Sequence, residues 1–241
     1  MARHRDHRGA DKRPVVVLAS SSPQRADLLR RLGVDPLIVS TDVDETVEPG
    51  ESAPALVERL ALAKLLSGCG HYQASDNEPA GSGPPESSTA LVIAADTVVD
   101  IDDVILGKPE GRAEAERMLT MLSGETHRVF SGVAVAVVQA RKKPQPVSGV
   151  AETEVVMRPG DADLISWYVE TGEPLDKAGA YGIQGKGSLL VEEVRGSYPN
   201  VVGLPITLVD QLCSRFGWPL HQLSRPVTTK AGAGSMSEPR S

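Results

Sequence analysis

The stretch VVVLASSSPQRADLLRRLGV (15–34) decides how the fold is read. VVVLAS is a β-branched apolar run of the kind that forms a buried strand. PQRADLLRRL then places Ala26, Leu28, Leu29 and Leu32 at helical spacing, with Pro23 suited to the first helical turn and Gly33 to the end. Only a short polar turn separates the two. A strand feeding directly into a helix is the building unit of α/β proteins.

Outward from this unit, strands and helices alternate. LIVSTDVDET (37–46) reads as a strand running into an acidic loop, and SAPALVERLALAKLLSG (52–68) as a helix. LVIAADTVV (91–99) is a second buried strand, with VILGKP (104–109) returning as its hairpin partner. A helix follows in GRAEAERMLTMLSG (111–124), then two strands, VFSGVAVAVVQ (129–139) and VAETEVVMR (150–158). DADLISWYVETG (161–172) is a helix, AGAYGIQGKGSLLVEEV (178–194) a glycine-rich turn feeding a strand, and LPITLVDQLCSRFGW (204–218) the last helix. Helices interleaved with at least one hairpin predict an α/β fold on a mixed sheet. QASDNEPAGSGPPESST (73–89) is polar and rich in Gly, Pro and Ser, the composition of a disordered insertion. The expected organisation is one domain over 14–222, flanked by a basic arm (1–13) and a polar tail (223–241).

Composition narrows the function. The chain has 241 residues, with 40% hydrophobic, 24% charged and only 3% aromatic residues. Its core must therefore be built from Val, Leu, Ile and Ala. A net charge of −7 argues against a nucleic-acid binder, which needs a cationic surface, yet local cations can still hold a small anion. Two distant cysteines, Cys69 and Cys213, form no metal or disulfide pattern. The five histidines show no zinc-type spacing. No apolar stretch approaches the roughly 20 residues of a membrane span. MARHRDHRGADKR (1–13) lacks an apolar core, so it reads as a polar arm and not a secretory signal. A cytoplasmic protein is the default expectation.

Four polar positions stand out. Ser22 is placed to cap the helix that starts at Pro23, and the free N–H groups of that turn, with Ser20 and Arg25 beside them, can cradle phosphate. An ordinary capped helix is the plain alternative. Asp96 interrupts an otherwise apolar strand; burial of a carboxylate requires a partner, so the pattern favours a strand end at a cleft mouth, with a turn-capping Asp as the alternative. Asp100, Asp102 and Asp103 look like a solvated hairpin tip. Lys64 falls on the stripe of Val57 and Leu60, near the end of its helix, where it either snorkels outward or meets an anion. Lys108 sits in the turn LGKP and alone would be an exposed loop lysine. GAYGIQGKG does not fit the phosphate-loop pattern, because the first glycine position falls on Ala180 and Gly187 follows Lys186. Its glycines still allow close approach to a ligand, and the Gln184 amide can read a base edge.

ASSSPQR (19–25), VDE (43–45), LALAK (60–64), AADT (94–97), LGKP (106–109), SGETH (123–127), DKAGAYGIQG (176–185) and NVVGLP (200–205) occur in an order that resembles the Maf-type nucleoside triphosphate pyrophosphatases. The resemblance covers about residues 15–217. It implies an elongated mixed sheet with flanking helices forming two lobes around a deep nucleotide cleft. It implies Asp96 as general base, and Ser20, Ser22, Arg25, Lys64 and Lys108 as triphosphate-holding positions. It also implies a divalent cation, Mg²⁺ or Mn²⁺, near Glu45 and Asp96, and frequent homodimers. Thr97 and Gln184 match positions that influence substrate choice. The pairing of D-T with G-I-Q-G looks like the branch acting on dTTP and UTP, in contrast to the sister branch that prefers 7-methyl-GTP. The implied role is sanitising the nucleotide pool or restraining division.

One position departs from the pattern: Gln24 stands where the family's turn usually carries an arginine, and that position too bears on substrate choice. Two other classes remain open, a non-catalytic nucleotide-binding regulator of septum formation and an α/β nucleic-acid module. Retention of Asp96, Lys64 and Lys108 weighs against the former, and the acidic balance with few aromatics against the latter.

Overall fold

The computed structural model describes residues 13–75, 89–139 and 142–224. In chain order the elements are β1 (Val15–Ala19), α1 (Pro23–Arg31), β2 (Leu37–Val39), α2 (Ala53–Ser75), β3 (Ala90–Ile101), β4 (Val104–Leu106), α3 (Arg112–Leu122), β5 (Thr126–Val138), β6 (Val147–Met157), α4 (Ala162–Glu170), β7 (Val191–Arg195), α5 (Tyr198–Val202), α6 (Ile206–Ser214) and α7 (Leu220–Leu223). The expected insertion at 73–89 lies mostly outside the described residues, but its first three residues are the end of α2. Residues 1–12 and 225–241 also lie outside them.

The seven strands form one mixed sheet in the order β2-β1-β3-β5-β6-β7, with β4 paired to β3. β1 runs parallel to β2 and β3; the other pairings are antiparallel. β3 is the spine. Along one edge β5 pairs with it from Ala90↔Val138 to Asp100↔Arg128. On the other edge β1 pairs only as far as Leu18↔Ile93, and β4 begins at Val99↔Leu106. The β3 edge between them, residues 94–98, has no strand partner on that side. Chain ends of two strands thus face each other across a gap, and that gap is the cleft.

The long strands also explain the two lobes. On one half of the sheet, Leu18, Leu29, Leu91, Ile93 and Val135 pack with Leu204, Val209 and Leu212 around α1 and α6. α2 covers the opposite face there, through Ala61, Leu65 and Cys69 on Val17, Val92 and Ala134. On the far half, Met118, Leu119, Leu122, Ile165, Tyr168 and Val169 bring α3 and α4 onto Val99, Val129 and Val155. Aliphatic side chains dominate all of these clusters, as the scarcity of aromatics requires. α2 can lie so close to the sheet because of Gly132: a Cβ there would stand 2.1 Å from the Val57 carbonyl oxygen. Gly132 is the register partner of Asp96, so this close approach sets the helix height beside the cleft.

Several sequence expectations need correction. β2 is only three residues long, and Leu37 and Ile38 are exposed. β5 and β6 begin three residues earlier than expected, at Thr126 and Val147. The short helices α5 and α7 were not expected. Asp102 and Asp103 do form the hairpin tip, both in left-handed conformation (φ 50° and 62°), the backbone of a tight two-residue hairpin turn. Asp100 does not belong to it: its side chain is buried and accepts from Arg128 Nη2 at 2.6 Å. Cys69 and Cys213 are buried and unbridged, and burial pushes their thiols up to about 11 and about 12.

Candidate active site

The gap beside β3 opens into a cavity of about 610 Å³. Its wall includes all ten residues singled out from the sequence: Ser20, Ser22, Gln24, Arg25, Glu45, Lys64, Asp96, Thr97, Lys108 and Gln184. They arrive from six separate chain segments, so their convergence is a property of the fold and not of sequence proximity.

Asp96 and Lys64 form the floor. Asp96 is not at a strand end, as its polar interruption suggested, but in the middle of β3, where the missing strand pairing exposes that edge. Lys64 is likewise mid-helix, because α2 continues to Ser75. Its Nζ donates to Asp96 Oδ1 at 2.5 Å and lies 2.6 Å from Glu45 Oε1. The Lys64 and Asp96 side chains are only 10% and 9% exposed, whereas Glu45 is 51% exposed. The apolar stripe of α2 thus turns a lysine inward onto a buried carboxylate. Burial works to raise the Glu45 carboxyl, but the hydrogen bond and charge of Lys64, with Lys108 and Arg25, outweigh it and hold it below the ordinary carboxylate range.

The β1–α1 junction forms one side. Ser22 occupies the N-cap position, but its side chain makes no cap bond. Its Oγ donates instead to Gln24 Oε1 at 2.9 Å, and its N–H donates to Ser20 Oγ at 3.2 Å. The first turn of α1 therefore faces the cavity without a side-chain cap. Arg25 is turned inward. Its Nη1 donates to Ser20 Oγ (3.1 Å) and to the Ala95 carbonyl (2.8 Å), which lies in the unpaired stretch of β3. Its Nη2 donates to Thr97 Oγ1 (3.1 Å) and its Nε to the Gly203 carbonyl (2.8 Å). Arg25 thus replaces part of the missing strand ladder and ties α1, β3 and the turn after α5 together. Burial lowers its pKa, opposed by the charges of Asp96 and Glu45. Thr97 Oγ1 also contacts Ser131 Oγ at 2.8 Å, and Ser131 Oγ donates to the Asn200 carbonyl at 3.3 Å.

Lys108 and Gln184 come from the opposite wall. Lys108 is exposed in the turn after β4, and the Gly179 N–H donates to the Gly107 carbonyl at 3.0 Å, joining that turn to the glycine-rich segment. Gln184 is half-buried in the loop between the short 3-10 turns 178–180 and 185–190. The same wall carries Glu173, Asp176, Lys177 and Tyr181, to which the sequence reading assigned no role. Glu173 closes what looked like an ordinary helix end, YVETGE, and nothing in that pattern marks it. Asp176 and Lys177 lay inside the DKAGAYGIQG motif, which did flag the region.

The carboxylate set suits a divalent cation of a particular kind. Among the described residues no group of three His, Cys, Asp or Glu side chains is arranged to hold a metal. Glu45 and Asp96 supply two hard oxygen donors on either side of Lys64 Nζ. That is too few for a dedicated cage, but it fits a Mg²⁺-like ion shared between one or two carboxylates and substrate phosphates.

The family model described as Maf-like protein matches residues 15–216. This chain belongs to the Maf family. Among its relatives, Maf proteins named dTTP/UTP pyrophosphatase are similar over most of their length. The one from Moorella thermoacetica is 47% identical over 202 residues, covering 84% of this chain and 95% of the relative. The one from Symbiobacterium thermophilum is 42% identical over 205 residues, covering 85% and 95%, and that from Myxococcus xanthus is 44% identical over 206 residues, covering 86% and 94%. Among solved structures, the Staphylococcus aureus Ham1 protein aligns with 87% of this Maf chain and 93% of its own, at 14% identity and a TM-score of 0.34. A likeness that faint carries no argument, and the Maf fold here rests on the sheet order and the family match.

Proposed function

We propose that the protein hydrolyses dTTP and UTP to the nucleoside monophosphate and pyrophosphate. The observation that carries the reading is the Lys64 ammonium held between Asp96 and Glu45 at the floor of a nucleotide-sized cavity. The names of relatives at 41–47% identity support the substrate pair.

In this reading the triphosphate lies between the uncapped first turn of α1, with Ser20 and Ser22, and the two lysines, Lys64 and Lys108. Partial positive charge at a helix start and fixed ammonium groups stabilise charge that builds on the phosphates. Arg25 contributes mainly by holding that wall in place, since its donors are engaged by protein acceptors. Asp96 accepts a proton from the water that attacks the α-phosphorus, and pyrophosphate leaves. A divalent cation bound by Glu45, Asp96 and phosphate oxygens would supply charge neutralisation and orientation. Lys64 keeps the two carboxylates together before such an ion arrives. Thr97, Gln24 and Gln184, all on the cavity wall, are the residues this reading assigns to base selection.

The catalytic unit is residues 14–222, and the setting is the cytoplasm, where the nucleotide pool lies. No helix among the described residues is long and apolar enough to cross a membrane. The homodimer implied by the family is a matter for sedimentation analysis. A panel of nucleoside triphosphates with Mg²⁺, assayed for monophosphate release on the wild type and Asp96→Asn, tests the reading. Removal of a general base lowers turnover about 10²–10⁴-fold. Near-normal turnover by folded Asp96→Asn, or a preference for 7-methyl-GTP, would sink it.

A further inference from the structure

The wall that carries Gln184 is held by two side chains outside the expected site. Tyr168, on α4, is fully buried. Its Oη accepts from the Gly182 N–H at 3.0 Å and donates to Glu173 Oε1 at 3.3 Å. Glu173 Oε1 also accepts from the Gly187 N–H, and Oε2 from the Lys186 N–H, both at 3.1 Å. Both ends of the segment 182–187 are thus tied to one hydrogen-bonded unit, and Gln184 sits at its middle. The tie is close-fitting: a Cβ on Gly187 would stand 2.3 Å from the Gly182 carbonyl oxygen and 2.5 Å from Tyr168 Oη, and one on Gly185 would stand 3.0 Å from either Glu173 carboxylate oxygen.

We propose that Tyr168 and Glu173 are positioning residues for base discrimination, acting through the segment that presents Gln184. The inference rests on the nucleotide pyrophosphatase reading and deepens it. Tyr168 does not line the cavity, so it cannot touch the base. Glu173 does line it, but three protein donors already occupy its carboxylate. A side-chain amide reads a base edge only where its backbone is fixed to within a fraction of an ångström. Gln184 lies in a loop with glycines on both sides of it, at 182 and 185, and has no regular helix or strand to fix it. The Tyr168–Glu173 unit supplies that rigidity from the α3–α4 core behind.

The test uses the full chain and three variants: Tyr168→Phe, Glu173→Gln and Gln184→Ala. Phe keeps the buried ring and removes only the hydroxyl. Amide exchange read by mass spectrometry or NMR should accelerate at Gly182, Lys186 and Gly187 in Tyr168→Phe and Glu173→Gln, with exchange elsewhere in β3 and β5 unchanged. The ratio of kcat/KM for UTP over CTP should fall about fivefold in each, the factor that one hydrogen bond of ordinary net strength is worth. The loss should come through KM for UTP. In the Gln184→Ala background, Tyr168→Phe should add no further loss of the ratio, since residues acting through one another are not additive. Unchanged exchange at the three amides overturns the proposal whatever the activity. So does an equal fall in kcat for every nucleotide, which would make Glu173 part of the chemistry, or a fully additive double variant. A wild type that hydrolyses no nucleoside triphosphate fails the functional reading instead, and the exchange data still judge the tie.

Discussion

Replacing Lys64 by Met keeps the apolar stem on α2 and removes the charge that neutralises the cleft floor. The structure separates the two halves of its ion pair. Glu45 is half exposed, and an exposed pair is worth about 0–1 kcal/mol. Asp96 is 9% exposed, and a buried carboxylate that loses its partner costs about 3–5 kcal/mol. The Asp96 half therefore decides the outcome. For a domain of this size each kcal/mol moves Tm by about 2–4 °C, so Lys64→Met should lower Tm by about 10 °C. Asp96→Asn in the same chain removes the stranded charge and should restore at least half of that loss. The coupling should persist in about 1 M salt, because screening acts weakly on buried pairs. Thermal melts of the wild type, both single variants and the double variant make the measurement. A Lys64→Met protein melting within about 2 °C of wild type, or a strictly additive double variant, would refute the reasoning.

Three further outcomes follow from other parts of the structure. Gln24 now spends its Oε1 on Ser22 Oγ at the cavity wall; Gln24→Arg adds a charged fork there and should raise kcat/KM for UTP or dTTP severalfold; unchanged or lower values defeat this, and a new preference order among the nucleotides would show that Gln24 reads the base through its amide. Gly132→Ala drives a Cβ into the α2 backbone at Val57, with no flexible side chain to yield, so overpacking should cost about 3 kcal/mol or more in a denaturant melt; a loss below about 0.5 kcal/mol, the range of neutral surface changes, contradicts that packing. His127 is buried against Tyr181 Oη at 2.8 Å, and burial lowers its pKa from 6.5 to about 4. Between those values the unfolded chain binds the extra proton, so stability should fall as pH drops from 6.5 to 4, by about 3 kcal/mol in total. His127→Phe should flatten that part of the stability–pH profile, and an unaltered slope would assign the acid sensitivity elsewhere.

The strand–turn–helix unit at 15–34 was legible because its two periodicities change at a proline and three serines. The aliphatic character of the core was legible too, since a chain with few aromatics leaves Val, Leu, Ile and Ala to fill the interior. Asp96 was found by its misfit in an apolar run but misplaced at a strand end. The sequence pattern along β3 carries no sign that its pairing with β1 ends at Ile93 and its pairing with β4 begins at Val99, and only that pairing puts a mid-strand carboxylate at an open edge. Lys64 was found by helical arithmetic, but its partner on a distant strand could not be. Arg25 was assigned to phosphate on local grounds; its carbonyl partners at Ala95 and Gly203 are 70 and 178 residues away. Glu173 and Tyr168 left no signal, because a carboxylate that accepts backbone N–H groups from a loop looks in sequence like any acidic residue at a helix end.

In the proposed reaction Asp96 and its surroundings direct water to the α-phosphorus of a pyrimidine nucleoside triphosphate. Turnover of UTP with Mg²⁺ in ¹⁸O-enriched water, followed by mass spectrometry of both products, tests it most directly. The expected products are UMP and pyrophosphate, with one ¹⁸O in UMP and none in pyrophosphate. Label in pyrophosphate, or UDP and orthophosphate as products, would contradict it.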